Sequence, residues 1–388
     1  VLPSSPAPQR GAARQAGARR VLVLSASMGA GHDTVARELV RRARAQGHQA
    51  ESVDLMRLLP YGTGPGLRAF YRTSVRHAPW VYDGLYRAFL RPGDHTRPSG
   101  VPLARLAADG LERLVARTGA DVVVPVFHLA AQLTGHLRAS GRLRVPSTVF
   151  VLDFAVHRQW LHPGNDVCFC LTDQAADDVR RAVPGTHVET TGPVVSPEFF
   201  TPAPGADGWR RRFERYAPGR PPVLLSAGAW GAAAGLGETA RLLAGRLPPR
   251  GAVRTQPGPA VPHRPPAGRA RPGLGDRHAG PAERGVRAGG QRGYQTAVQA
   301  LAAGLPVAGY RPLPGHGADG VRRMADLRLT ESAADGPALL AVLDRLMTEG
   351  PEERRRRAAR GRAIFHTDVL ERAVALTGRP TVTSGGAD

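Results

Sequence analysis

Short apolar runs alternate along this chain with stretches whose apolar residues recur every three or four positions. The runs VLVLS from Val21, VVVPV from Val122, STVFVLDF from Ser147, VCFCLT from Val167 and HVETTG from His187 have strand length, and helical patterns such as TVARELVRRARAQG separate them. That alternation predicts an α/β fold with a parallel sheet wrapped by helices. A Pro/Gly/Ala stretch at Thr201–Gly208 and a helix-like WRRRFERYA precede a new strand, PVLLSAG from Pro222, where a second unit begins. The expected division is a tail over 1–20, a first domain over 21–205, a second over 218–350 and a last helix within 351–375. The tail is Ala, Arg, Pro and Ser without a hydrophobic segment and is expected to be disordered; no apolar run reaches bilayer-crossing length.

The pattern fails between Arg246 and Gly293. There 36 of 48 residues are Arg, Pro, Gly or Ala, five are Val or Leu, and neither a strand nor an amphipathic helix can be drawn. So long a structureless loop is foreign to a compact domain. Two explanations stand: a natural disordered insertion, or a segment translated out of frame. Gly275–Gly293, GDRHAGPAERGVRAGGQRG, can be back-translated so that the frame one base later reads VTDMPGLLSGASALVDNAG, a helix, a strand and a glycine turn. The check is permissive, because the shifted second codon position falls on a degenerate third base.

Composition changes the meaning of charge. A formal charge of +21 ordinarily points to nucleic acid or an anionic membrane. The sequence contains no Lys, one Ile (Ile364) and one Asn (Asn165), the mark of coding DNA rich in G and C, so part of the basicity is genomic bias. The arginines are scattered rather than gathered on an RNA- or DNA-binding motif, which argues against nucleic acid. Cys168 and Cys170, two apart in VCFCL, share a strand face and do not readily close a disulfide. They read as small core residues of a reduced, cytosolic protein.

Two glycine corners carry the candidate chemistry. In VLVLSASMGAGH, Gly29 and Gly31 fall where a strand turns into a helix N-terminus, whose free backbone N–H groups suit an anion or polar ligand. The loop lacks the Lys-Ser/Thr ending of a P-loop and the third glycine of a dinucleotide fingerprint, which argues against ATP and NAD; His32 stands in their place. The second corner is Gln295–Gly317, QTAVQALAAGLPVAGYRPLPGHG.

Taken with VDLMRLLPYG, FYRTSVRHAPWVYDGLYRAF, LDFAVHRQW, ETTGPVVSPEF and SAGAWG, these motifs resemble the monogalactosyldiacylglycerol synthase and processive diacylglycerol glucosyltransferase family, relatives of MurG in glycosyltransferase family 28. The resemblance covers roughly 21–244 and 295–330. It implies a GT-B fold, two Rossmann-like domains facing across a cleft, with the last helix crossing back to the first. It also implies inverting transfer of a hexose from a UDP-sugar to a lipid hydroxyl, with diacylglycerol the expected acceptor. The donor is a substrate, no separate cofactor is implied, and no metal ligands are assigned.

Residue by residue, His32 resembles the family's proposed base, and an imidazole of ordinary pKa suits that task at neutral pH; the alternative is a histidine packed at a helix start. LDFAVHRQW resembles TDF-x-x-H-x-x-W, with Leu152 where Thr is common. Asp153 is the second catalytic candidate, and His157 and Trp160 are candidate acceptor contacts; alternatively Asp153 caps a turn and Trp160 is core. On the donor side the resemblance assigns Gly228, Gly231, Gln295, Thr296, Gln299, Gly315 and His316. Gln299 replaces a common Glu, and Pro314-Gly315-His316-Gly317 replaces a Pro-Gly-Gln-Glu-like sequence, which leaves the sugar open.

The acceptor side has a cue of its own. Tyr61–Leu90 holds seven of the 21 aromatic residues, interleaved with Arg68, Arg72, Arg76 and Arg87. Phe70, Tyr71 and Trp80 are candidate acceptor contacts, and rings mixed with arginines suit an anionic membrane surface; packing between helices is the alternative. The resulting expectation is a peripheral enzyme on the cytoplasmic face of the cell membrane. The competing classes are a soluble glycosyltransferase acting on a small metabolite and a non-catalytic product of a frameshifted gene.

Overall fold

The computed structural model describes residues 17–90, 99–201, 206–216, 218, 222–226, 235–246, 254–255, 286–289, 294–313 and 315–378. β1 (Arg20–Ser25) buries all but its first residue and pairs in parallel with β2 (Gln49–Asp54) on one side and β3 (Val122–Pro125) on the other. The crossover from β1 to β2 is α1 (Ala30–Ala45), which turns Val35, Ala36, Leu39 and Ala43 onto the sheet. β2, QAESVD, lies at the sheet edge and carries little apolar surface, so no hydrophobic run marks it in the sequence.

From β2 the chain runs through α2 (Thr63–His77), α3 (Pro79–Leu85), a π-helical turn (Tyr86–Leu90), α4 (Val101–Arg105) and α5 (Ala108–Thr118) before entering β3. α6 (His128–Ala139) then leads to β4 (Thr148–Phe150), β5 (Val167–Cys170), α7 (Asp173–Ala182) and β6 (Val188–Thr190). β4, β5 and β6 pair in parallel, and a parallel bridge from Val123 to Ser147 joins them to β3. The strand order is therefore β2-β1-β3-β4-β5-β6, which reverses direction between β1 and β3. In open α/β sheets, ligands bind in the crevice beyond the carboxyl ends of the strands at such a reversal.

α8 (Ala206–Tyr216) precedes the second sheet, whose strands are β7 (Val223–Ser226), β8 (Arg254–Thr255), β9 (Val286–Gly289), β10 (Val307–Tyr310) and β11 (Glu331–Ala333). All pair in parallel in the order β11-β10-β9-β7-β8, so the reversal falls between β7 and β9. α9 (Leu236–Arg246), α10 (Gln295–Ala302), α11 (His316–Asp326) and α12 (Gly336–Thr348) complete the unit. β8 and β9 correct the expectation that no strand runs through 246–293. Ladder bonds come from the backbone, so a segment without apolar periodicity still pairs when neighbouring strands present open edges. The rest of 247–293 lies outside the described residues, as do residues 1–16 of the expected tail.

One hydrophobic cluster spans both sheets. Val23, Leu39, Phe150 and Phe169 share it with Ala297, Leu301 and Leu305 of the second unit and with Val369 and Leu370 near the C-terminus. The expected last helix is two helices, α13 (Pro351–Ala363) and α14 (Val369–Ala375), the latter capped by Asp368, which accepts from the Leu370 N–H. α14 returns to the first unit: the Gln46 amide donates to Asp368 at 3.0 Å, and Arg372 reaches Glu189 at 2.6 Å. Cys168 and Cys170 are free and buried, and burial pushes the Cys168 thiol up to about 12, which leaves it inert as a nucleophile. Among the described residues no helix is long and apolar enough to cross a membrane.

Candidate active site

The two reversals face each other. A Cβ placed on Gly31, in the first turn of α1, would lie 3.9 Å from Cβ of Gln295, the first residue of α10. The turn before α1 depends on Gly29, whose φ of 154° disfavours a side chain. Beside Gly31, His32 accepts nothing at Nδ1: that nitrogen lies 2.7 Å from the Val126 carbonyl oxygen and so carries the proton it donates. Nε2 is left with the lone pair. Burial lowers the His32 pKa, opposed by the Val126 hydrogen bond and by Asp33, so the ring is neutral and able to accept a proton at neutral pH. Asp33 itself is held by the Ser25 hydroxyl at 2.9 Å.

Around His32 the structure gathers three more imidazoles. His128 opens α6 at the end of β3, and its ring centroid is 5.1 Å from that of His157. His157 is 6.3 Å from His316, the first residue of α11, so the cluster is built from both units. Desolvation brings His128 down to about 3 and His316 to about 4, and holds His157 well below the usual imidazole range; neighbouring histidines push each of the three the same way. At neutral pH the cluster is uncharged. Among the described residues no group of His, Cys, Asp or Glu has the arrangement to hold a metal ion.

The expected acceptor contact at Trp160 requires correction. The Trp160 ring is fully buried and its Nε1–H donates to Asp153 at 2.6 Å, so it is a packed support rather than a surface for sugar or lipid. Asp153 also faces His157 Nε2 at 3.3 Å, and desolvation raises its pKa to about 6 against the pull of the Trp160 bond. Its carboxylate thus orients His157 and does not hydrogen-bond His32, whose Nδ1 is taken by backbone. His157 is itself buried, with Nδ1 lacking a protein partner.

On the second unit, the Gln295 amide donates to the Val194 carbonyl at 3.1 Å, tying α10 to the first unit; Thr296 and Gln299 follow on α10 and are half-buried. Gly315 precedes α11 with φ 81°, and the Tyr294 hydroxyl donates to the His316 carbonyl at 2.6 Å. Gly228 and Gly231 lie outside the described residues. On the acceptor side Phe70 and Trp80 are exposed and Tyr71 is half-buried. A cleft of about 770 Å³ adjoins the cluster, lined by Tyr86, Val156, Arg158, Asp178, Asp319 and Arg323 among others. Sequence reasoning missed His128, Tyr294 and Asp319. Only His128 had a signal, its place directly after the apolar run VVVPVF.

Residues 32–195 match the family profile described as monogalactosyldiacylglycerol (MGDG) synthase. A processive diacylglycerol beta-glucosyltransferase of Bacillus subtilis is 23% identical over 232 residues, 55% of each chain. One of Staphylococcus epidermidis is 22% identical over 225 residues, 56% of this chain and 54% of its own. The match thus spans about half the length of these curated relatives. Among solved structures, MurG of Acinetobacter baumannii superposes with a TM-score of 0.54 at 15% identity, over 92% of this chain and 99% of its own. The glycosyltransferase SnogD of Streptomyces nogalater gives 0.52 at 18% identity, over 93% and 100%. The fold is GT-B.

Proposed function

We propose, on the match of residues 32–195 to the monogalactosyldiacylglycerol synthase profile, that the protein transfers a hexose from a UDP-sugar to a lipid hydroxyl, diacylglycerol being the acceptor class, with inversion and as a peripheral protein on the cytoplasmic membrane face. The observation that carries this reading is the apposition of Gly31 and Gln295, which sets a neutral imidazole against a helix N-terminus of the opposite unit.

His32 Nε2 accepts the acceptor hydroxyl's proton as its oxygen attacks the anomeric carbon. The new C–O bond forms on the face opposite the departing group, and the bond to UDP breaks with its electron pair on the diphosphate. The unpaired N–H groups and positive dipole end of α10 stabilise that charge. Thr296 lies in the first turn, where its hydroxyl adds a donor. Exposed Phe70 and Trp80 with exposed Arg72 meet the lipid surface.

The test is calorimetry of UDP binding beside a transfer assay with diacylglycerol vesicles. His32→Ala is expected to abolish transfer and keep UDP binding; unchanged turnover removes the base. A second reading, a non-catalytic product of a frameshifted gene, is favoured by the composition of 246–293, and failure of this chain to bind UDP would select it.

A further inference from the structure

Tyr86 stands out against its own segment. Phe70, Trp80, Val81 and Phe89 are exposed, yet Tyr86 is only 5% exposed and its hydroxyl donates to Asp319 Oδ2 on α11 at 2.5 Å. Its ring lies so close over Gly315 that a Cβ there would come within 2.6 Å of it, and it sits 6.2 Å from the His316 ring. The same π-helical turn is fastened to the site's other wall, since Gln159 donates to the Phe89 carbonyl at 2.7 Å and accepts from the Gly100 N–H at 2.7 Å. Gln159 lies between His157 and Trp160. One short turn therefore touches the exposed aromatic helices, the loop that holds His157, and the helix that begins with His316.

We propose that Tyr86 is a positioning residue: through its hydroxyl on Asp319 and its ring over Gly315, it transmits the seating of Thr63–Leu90 on an anionic lipid surface to α11, and so fixes His316 at the site. The inference rests on the lipid-surface part of the reading above. The Arg72 guanidinium is exposed in this segment and supplies the charge complementarity to anionic headgroups. A hydrogen bond between two elements that move as one keeps both ordered; the same bond between elements of which one is loose stabilises neither. Docking the aromatic helices removes their freedom, and the Tyr86 contact passes that order to α11.

The experiment is hydrogen exchange of residues 316–326 with and without vesicles of equal phosphatidylglycerol and phosphatidylcholine, beside flotation of the same samples. Wild type is expected to float, with exchange in α11 slowed about fivefold by vesicles, the factor that corresponds to one net hydrogen bond. Tyr86→Phe and Asp319→Ala should float equally but lose that slowing, whereas Asp319→Asn, which keeps an acceptor oxygen, should retain it. A merely structural Tyr86 would raise exchange in the Phe variant equally with and without lipid, and that result overturns the proposal. So does a wild type that floats with α11 unchanged. A wild type that does not float removes the lipid-surface reading, and the proposal with it.

Discussion

The imidazole cluster makes stability fall steeply on acidification, and His316→Gln should flatten that fall. His128 is held at about 3 and His316 at about 4, both chiefly by desolvation, while an unfolded chain protonates each near 6.5. Between those values the unfolded state binds a proton that the native state refuses. Stability is therefore full above about pH 6.5 and is lost as pH drops, by about 1.4 kcal/mol per pH unit for each histidine. Asp153 acts with the opposite sign: its folded pKa of about 6 lies above its ordinary value of 3.8, so the native state binds the extra proton between them. From about pH 5.5 to 4.5 the two histidines outweigh the one carboxylate by about one proton, or ~1.4 kcal/mol per pH unit, and His157 and His32 add in the same direction. Removing His316 takes about 1.4 kcal/mol per unit from the slope. Urea unfolding at several pH values between about 4.5 and 7, followed by far-ultraviolet circular dichroism, measures it. Identical slopes in wild type and variant, or stability that rises toward acid, would refute the argument.

Leu370→Ala, which hollows the seat of α14 on the first sheet, is expected to cost about 2–5 kcal/mol, read as a lower urea midpoint; Leu370 is 1% exposed. The chain with its 246–293 segment frame-corrected should bind UDP more tightly than the present chain by calorimetry, and equal affinity would remove the case for a damaged donor site.

The strands most legible in the sequence are those whose side chains meet solvent on neither face. VLVLS, VVVPV and VCFCL announce β1, β3 and β5 because a parallel sheet covered on both sides demands continuous apolar runs. β2 escaped because an edge strand holds on through its backbone, and QAESVD has no apolar rhythm. The site was half legible. Gly29, Gly31 and His32 declare themselves as a strand-to-helix corner, and resemblance locates His316. Trp160 was ambiguous because a large ring serves core and sugar equally well, and only its hydrogen bond to buried Asp153 decides between them. Tyr86 and Asp319 are 233 positions apart, and no local pattern brings two such residues together.

The position of β9 bears on the origin of the segment around it. It pairs with β10 on one side and β7 on the other, Arg287 opposite both Val307 and Leu224, which makes it a central strand of a parallel sheet. Central parallel strands are near-continuous hydrophobic runs, because helices cover both faces. VRAG is not such a run. These four positions can be back-translated so that the frame one base later reads SALV, followed by Asp, Asn, Ala and Gly leading into α10, a reading that degenerate third bases make easy to obtain. Compensating one-base shifts flanking this stretch of the coding DNA would account for so polar a central strand, and their absence on sequencing would leave it with an arginine to explain.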